Sequence, residues 1–494
     1  MNRNLLFYIL TIAIFGSLLG LVFDQGTKLG FEPNAAVSPG DPPQAARGED
    51  HESEATASLG RALIVFVSNV SQNMAHPLSR LLLQIAVIVV IARVLALLVA
   101  KIGQPQVIGE IIAGIILGPS LVGLFWPGIS NFLFQPESLP NLQFLSQLGL
   151  ILFMFIVGLE LDVHVLKHKA QTALVVSHAS IIFPFFCGVT LSYFLYQSLA
   201  PPQISFLAFG LFMGIAMSIT AFPVLARILH ERGLAQSPVG ILALTSAAAG
   251  DVTAWCGLAA VIAIVQAGTV VSAVFTVLIS LLYVFVMLVL VRPLLKRLGD
   301  YYAIAENLNP TFAVIIFAVL FLSAFVTEVI GIHALFGAFL AGVIMPSLAG
   351  FRKTLASKIE DVSLVILLPL FFAFTGLKTQ IGLLNEAYDW FVCGLIIFVA
   401  VAGKVGGSVA AAKFTGQSWS DSFAIGALMN TRGLMELIVL TIGYDLGILS
   451  PTVFTMMVLM ALVTTFMTAP ALYWIERIRW KLESMSTKSL PERL

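Results

Sequence analysis

Apolar residues run along this chain in blocks of about 20, the length that carries a helix across a bilayer. Polar punctuation divides them into thirteen segments, near 79–100, 104–123, 143–163, 172–198, 204–228, 238–265, 270–291, 311–330, 333–347, 361–383, 389–412, 421–443 and 452–475. The 333–347 stretch is short and is not expected to cross as a regular helix. One more apolar run, 5–23, follows Arg3 and reads as a signal peptide or an extra transmembrane helix. Residues 24–78 read as an exposed flexible linker, with a short amphipathic interfacial helix expected over 61–74. The membrane domain then spans 79–476, and 477–494 form a short cytoplasmic tail, too short for an appended nucleotide-binding domain.

With 59% hydrophobic and 11% charged residues in 494, the expected fold is an all-α polytopic membrane protein of about thirteen transmembrane helices. So much apolar surface excludes a soluble domain. Cys187, Cys256 and Cys393 lie in apolar stretches without metal or disulfide spacing and read as small core residues.

Charge placement adds an orientation. Lys101, Lys167, Lys169, Arg227, Arg232, Arg292, Lys296, Arg297, Arg352, Lys353, Lys358, Lys413 and the tail fall in alternate loops. The intervening loops, near 124–141, 198–204, 266–269, 331–333, 384–388 and 444–451, hold no Lys or Arg. The positive-inside rule makes the first set cytoplasmic. Thirteen crossings satisfy the alternation and put the C-terminus inside.

The chain also repeats. Gly109 to Ile116 (GEIIAGII) reads against Gly337 to Ile344 (GAFLAGVI). Leu152-Phe153 with Gly158-Leu159 reads against Leu370-Phe371 with Gly376-Leu377. The topology runs the two copies in opposite directions, the inverted repeat common in secondary transporters with a midplane site.

Few charges sit deep in the segments. Asp251 lies in the middle of 238–265, after Ser246-Ala247-Ala248-Ala249-Gly250. A carboxylate there must be hydrated, paired, protonated or bound to a cation, so its default reading is a proton carrier or cation ligand. A buried Asp tied to a neighbouring helix is the structural alternative. Lys404, flanked by Gly403, Gly406 and Gly407, is either the counter-charge of Asp251 or a lysine snorkelling to the cytoplasmic face. Arg432 and Glu436, four apart on one expected helix, form a structural salt bridge or line a pathway. Glu110 and Glu328 line an access path or bond a neighbour. Ser218-Ile219-Thr220-Ala221-Phe222-Pro223 should break its helix, because Pro223 removes an amide and frees a carbonyl. That carbonyl and the Ser218 and Thr220 hydroxyls are oxygen ligands for a desolvated alkali cation. Leu368-Pro369 with Thr375 to Lys378 is expected to supply a second interrupted helix. His178 and His333, with apolar neighbours, read as packed. His164, His168 and His230 read as surface residues near cytoplasmic ends.

These motifs resemble the cation/proton antiporter superfamily, and its second branch most. The resemblance rests on Gly103 to Glu110 (GQPQVIGE), Gly158 to Asp162 (GLELD), Ser218 to Arg227 (SITAFPVLAR), the Asp251 helix, Gly403-Lys404 and Asn430 to Leu440 (NTRGLMELIVL). It covers about 79–475. It implies a sodium/proton antiporter-like fold with inverted repeats and crossing discontinuous helices, exchange of Na+ or K+ for H+, and a homodimer in lipid. It implies no cofactor and no nucleic acid. Asp251 matches the ion-binding aspartate, Lys404 the lysine that opposes it in several members, and Thr220 the unwound crossing helix. Gly250 departs from the pattern, since Asn or Asp often precedes the aspartate in this family. A bacterial inner membrane is the expected location.

Two other functions fit parts of the sequence. One is a channel or uniporter on the same helices. The other is an aspartyl intramembrane protease, to which Gly250-Asp251 and Tyr444-Asp445 are similar. Against the protease, the two aspartates come in the wrong order and Ala248 stands where that motif needs Gly. Because one carboxylate serves both ligands, one-for-one electroneutral exchange is expected.

Overall fold

The computed structural model describes residues 64–70, 72–74, 76–160, 170–234, 237–266, 270–302, 310–346 and 351–488. The leader 1–23, most of the linker, His164, His168, Lys167 and Lys169 lie outside the described residues. Residues 64–70 are helical and exposed, within the stretch expected to form an interfacial helix.

Helices account for the thirteen apolar segments. They are α1 (Pro77–Lys101), α2 (Gln106–Leu117), α3 (Leu139–Glu160), α4 (Ala170–Leu199), α5 (Phe206–Ala216), α6 (Phe222–Glu231), α7 (Pro238–Gln266), α8 (Val270–Val286), α9 (Pro310–Ile330), α10 (Ala334–Val343), α11 (Phe351–Val362), α12 (Leu368–Lys378), α13 (Ala387–Phe414), α14 (Trp419–Met429), α15 (Leu434–Asp445) and α16 (Pro451–Lys488). Among the described residues, ten helical spans are long and apolar enough to cross a membrane. The other three segments are the pairs α5–α6 and α14–α15, each broken in the middle, and the short α10.

The starts carry the chemistry that helix starts need. Ser205 and Ser418 accept from the amides of Ala208 (3.2 Å) and Asp421 (3.0 Å), and Glu386 with Asp389 forms a capping box on α13. His333 caps α10 and takes φ +78°, so it serves backbone geometry and not only packing. His178 is exposed, with Nδ1 2.8 Å from Leu174 O, and Cys256 is exposed as well. The periodicity of these nearly all-apolar helices does not distinguish a lipid face from a core face.

Two groups of helices emerge. In one, α2 packs on α1 and α12, and α10 packs on α3 and α9; in the other, α4 packs on α5, α7 and α13, and α14 on α7, α13 and α16. Glycine contacts in the first group carry the repeat into three dimensions. A Cβ on Gly376 would meet Ile111 O, Gly114 Cα and Ile115 N, and one on Gly158 would meet Phe339 O, Gly342 Cα and Val343 N. These are the residues that the sequence alignment pairs. Small residues let the backbones touch, the usual basis of tight packing in lipid.

Polar links fix the directions. Ser120 Oγ donates to Thr379 O (2.9 Å), which sets the end of α2 beside the end of α12. There Lys378 pairs with Asp445 (2.5 Å), whose other oxygen accepts from Gln143 (3.1 Å) near the start of α3. His333, at the start of α10, shares a small cavity with Gln143 and Asp445. At the other end of α3 the Arg352 guanidinium donates to Leu159 O (3.1 Å) and Val343 O (3.1 Å). Thus α2 ends on the face where α10 begins, and the repeat is inverted.

One expected break is corrected. Residues 361–383 form no interrupted helix: a π turn at Ser363–Leu367 runs directly into α12, so Pro369 sits inside one continuous helical run, immediately after the turn that departs from α geometry. The second break is Asn430–Gly433, between α14 and α15, where Gly433 takes φ +146°. That conformation belongs to glycine. Arg432 therefore sits in a break and not on the same helix as Glu436.

The two breaks cross and bond each other. Ala221 N donates to Thr431 O (3.0 Å), and Thr220 Oγ1 to Met429 O (3.1 Å). The α5 helix ends on carbonyls without intrahelical partners, which lipid leaves unsatisfied at several kcal/mol each. Arg432 caps them, donating to Ala216 O (3.2 Å) and Met217 O (2.7 Å), and pairs with Glu436 Oε1 (2.9 Å). Both side chains are 0% exposed.

Two outcomes are expected. Gly114→Val or Gly342→Val, which force touching backbones apart, should each cost about 1–3 kcal/mol; unchanged thermal melting in detergent would contradict the close packing. Arg432→Gln should cost about 3–5 kcal/mol, because Glu436 becomes a buried unpaired charge. Adding Glu436→Gln should recover part of that loss. A double variant that melts no higher than Arg432→Gln would count against this account.

Candidate functional site

Asp251 lies midway along α7 and is 5% exposed. Neither carboxylate oxygen has a hydrogen-bond partner. Ala243 and Ala247 on the same helix are buried against Ala221, Leu225 and Leu428, beside the two crossing breaks. Small side chains bring α7 close to the breaks and leave an orphaned carboxylate there.

Lys404 on α13 is 0% exposed, so it does not snorkel to a surface. Its Nζ donates to Ser180 O (2.8 Å) and to Ser218 O. It meets Asp251 as a charge acting through space and not as a hydrogen-bonded ion pair. Two sequence features build this arrangement. Pro184, inside α4, has no amide to give the carbonyl four residues earlier, which is Ser180 O. Gly403 and Gly407 lie against Pro184, Cys187, Ala179 and Phe183 of α4, so the lysine reaches that carbonyl. Pro184 is a residue whose role the sequence hides: a proline inside an apolar segment four residues after Ser180 was the available signal, but its link to Lys404 arises only in three dimensions.

Four buried charges therefore gather around the breaks: Lys404, Arg432, Glu436 and Asp251, whose charges act on Lys404 together. If all are ionised they sum to zero. Arg432 and Glu436 form a direct ion pair, although Arg432 Nε and Glu436 Oε2 have no partner, and Lys404 is held by carbonyls. Asp251 is the one member without a donor.

The other predicted residues fall as follows. The single Ser218 Oγ proton lies within reach of Gly214 O (2.6 Å) and Ile181 O (3.1 Å), leaving the oxygen lone pairs able to accept. Thr220 Oγ1 does the same toward Met429 O. The α5 break begins before the residue freed by Pro223, since α5 already ends at Ala216. Glu110 is buried on α2, outside the α4–α7–α13 group. Glu328 Oε2 accepts from Ala334 N (2.7 Å) and so helps to cap α10. Asp445 sits at the end of α15, engaged by Lys378 and Gln143; it does not combine with Asp251 into a proteolytic pair. Ser177 has no place in the sequence-based expectations, and Ser246 and Asn430 figure there only as part of a small-residue run and of a motif, without a site role. Each is buried, and Ser177 Oγ, Ser246 Oγ and Asn430 Oδ1 have no hydrogen-bond partner.

Comparison with known proteins agrees with this architecture. Residues 86–474 match the family "Sodium/hydrogen exchanger, transmembrane". The chain is 45% identical over 391 residues to the Na(+)/H(+) antiporter NhaS4 of Synechocystis, a match over 79% of this chain and 95% of that protein. It is 42% identical to Cation/H(+) antiporter 17 of Arabidopsis thaliana over 80% of this chain, and 36% identical to K(+)/H(+) antiporter 1 of Saccharomyces cerevisiae over 81%. The chain spans about half the length of these two eukaryotic relatives, 48% of the first and 46% of the second. The structure of the sodium proton antiporter MjNhaP1 from Methanocaldococcus jannaschii aligns with TM-score 0.55 at 15% identity, over 79% of this chain and 95% of that one. This likeness shows the shared fold. Crossing helix breaks, an inverted repeat and a family match across nearly the whole membrane domain lead to one conclusion: the chain belongs to the sodium/hydrogen exchanger family.

Proposed function

We propose that the chain is a secondary antiporter that exchanges Na+ or K+ for H+, with Asp251 taking each in turn. One observation carries this reading: a buried carboxylate lacks any donor while every other charge around the breaks is engaged. Such a group is costly when ionised and alone. A proton or a monovalent cation relieves that cost equally in charge. The two ligands therefore compete for one place, and competition couples their movements. The relatives' names, which speak of Na+, K+ and cation exchange for H+, support the same class.

Ser218 and Thr220 supply oxygens on the break nearest Lys404. Lys404 acts as a fixed positive charge, since two backbone carbonyls hold it in place of Asp251. Arg432 and Glu436 keep the crossing rigid. The wall of exposed apolar residues on α8, with Val271, Phe275 and Leu282 among them, suits lipid or a second copy in a homodimer. The loop charges support a cytoplasmic C-terminus and suit a bacterial inner membrane. Asp251→Asn, which keeps shape and removes the exchangeable charge, should reduce cation-driven proton movement in proteoliposomes to background. Exchange at the wild-type rate in that variant would refute the assignment. A channel or uniporter would instead pass cations with no coupled proton flux.

Stoichiometry follows from the same charges. Lys404 stays bound to its carbonyls through the cycle, so a proton and a cation leave the site with the same net charge. Exchange should run one for one and ignore voltage. The check is proteoliposomes whose potential is clamped by an ion that the protein does not carry. A rate that follows the imposed potential, or a current on adding cation, would contradict the scheme.

A further inference from the structure

Gly250 leaves a gap beside the carboxylate, and the structure shows what faces it. A Cβ at residue 250 would lie 3.2 Å from Ser177 Oγ on α4, nearer than side chains normally pack. Ser177 is 0% exposed, and its hydroxyl has no hydrogen-bond partner. A serine inside a helix usually gives its proton to a carbonyl one turn back; Ser180 and Ser192 on the same helix bond to carbonyls three residues back. A buried hydroxyl without a partner costs about 1–3 kcal/mol by comparison with a bonded one, so its position needs a reason.

The surroundings supply one. Ser180 Oγ donates to Ser177 O (2.8 Å), and Ser180 O accepts from Lys404 (2.8 Å), whose charge acts on Asp251. Ser177 is thus one link from the lysine and beside the residue next to Asp251. Ser246, one turn before Gly250 on α7, is buried with a second unpartnered hydroxyl. Hydroxyls with no protein partner therefore stand on both α4 and α7, the one on α7 within about a turn and a half of Asp251.

We infer that Ser177 Oγ is an oxygen ligand of the transported cation, lent by α4 in place of a side chain at residue 250. This rests on the reading of Asp251 as the cation carrier. A dehydrated alkali cation takes several neutral oxygens along with one carboxylate, and hydroxyl lone pairs are suitable donors. Gly250 is then the residue that gives the serine room. A neutral ligand adds coordination without adding charge, so it strengthens cation binding and leaves the one-for-one charge balance unchanged.

The test measures the half-saturating concentration of Na+ and of K+ for proton flux in proteoliposomes at fixed pH. Ser177→Ala should raise it about tenfold or more for the transported ion, the scale of losing one polar contact in a buried site. Ser177→Thr keeps the hydroxyl and should stay within about threefold of wild type, below the tenfold step worth 1.4 kcal/mol. The paired variant Ser177→Ala with Gly250→Asn puts an amide oxygen into the space that the serine vacates and should recover much of the lost affinity, which repair of mere packing would not do. An unchanged half-saturating concentration in Ser177→Ala overturns the inference, and so does a loss that Ser177→Thr shares. If Asp251→Asn abolishes exchange while Ser177→Ala does nothing, only the serine ligand fails. If Asp251→Asn itself exchanges normally, the carrier reading fails first.

Discussion

Backbone carbonyls cannot be left bare in a bilayer, and this structure is arranged around that constraint. Breaking α5 before α6 strips partners from Ala216, Met217 and Ser218. Arg432 and Lys404 take those carbonyls. Cations at a helix C-terminus are also favoured by its dipole. Two buried cations in turn call for two carboxylates, since lone charges in a low-dielectric interior are too costly. Glu436 answers Arg432 directly. Asp251 answers Lys404 only through space. The fold thus creates one directly bonded pair and one carboxylate whose charge is needed but neither of whose oxygens is committed.

That asymmetry gives the site its chemistry. Glu436 is held through one oxygen by a guanidinium that is itself pinned to the carbonyls of the broken helix, so it is a structural charge. Asp251 stands on a helix of alanines, glycine and serine that brings α7 close without supplying a donor. The Gly403 and Gly407 face of α13 and Pro184 of α4 hold Lys404 on backbone oxygens. A proton or a cation can then replace the other on Asp251 while the scaffold of charges stays put.

Much of this was legible in the sequence because it depends on rare residues. A charge in an apolar block, as at Asp251 or Lys404, is conspicuous, and Gly109 to Ile116 against Gly337 to Ile344 revealed the repeat through glycines that the structure shows touching their partners. The break at Met217–Ala221 was visible through Pro223. The one at Asn430–Gly433 was not, because glycine is common in these helices and only its φ of +146° marks it as a break. Pro369 misled for the complementary reason: a proline can sit in a continuous helical run beside a π turn, and sequence does not show where such a turn forms. Ser177 was invisible, because a lone serine acquires meaning only when its hydroxyl lacks a partner and faces a missing side chain.

The central claim is that proton and cation compete for Asp251. Calorimetry of cation binding to the purified protein, repeated in buffers of different ionisation enthalpy, measures protons released per cation bound. The account predicts release of one proton per cation at a pH where Asp251 starts protonated, and none in Asp251→Asn. Cation binding to the wild-type protein that releases no proton across that pH range would contradict it.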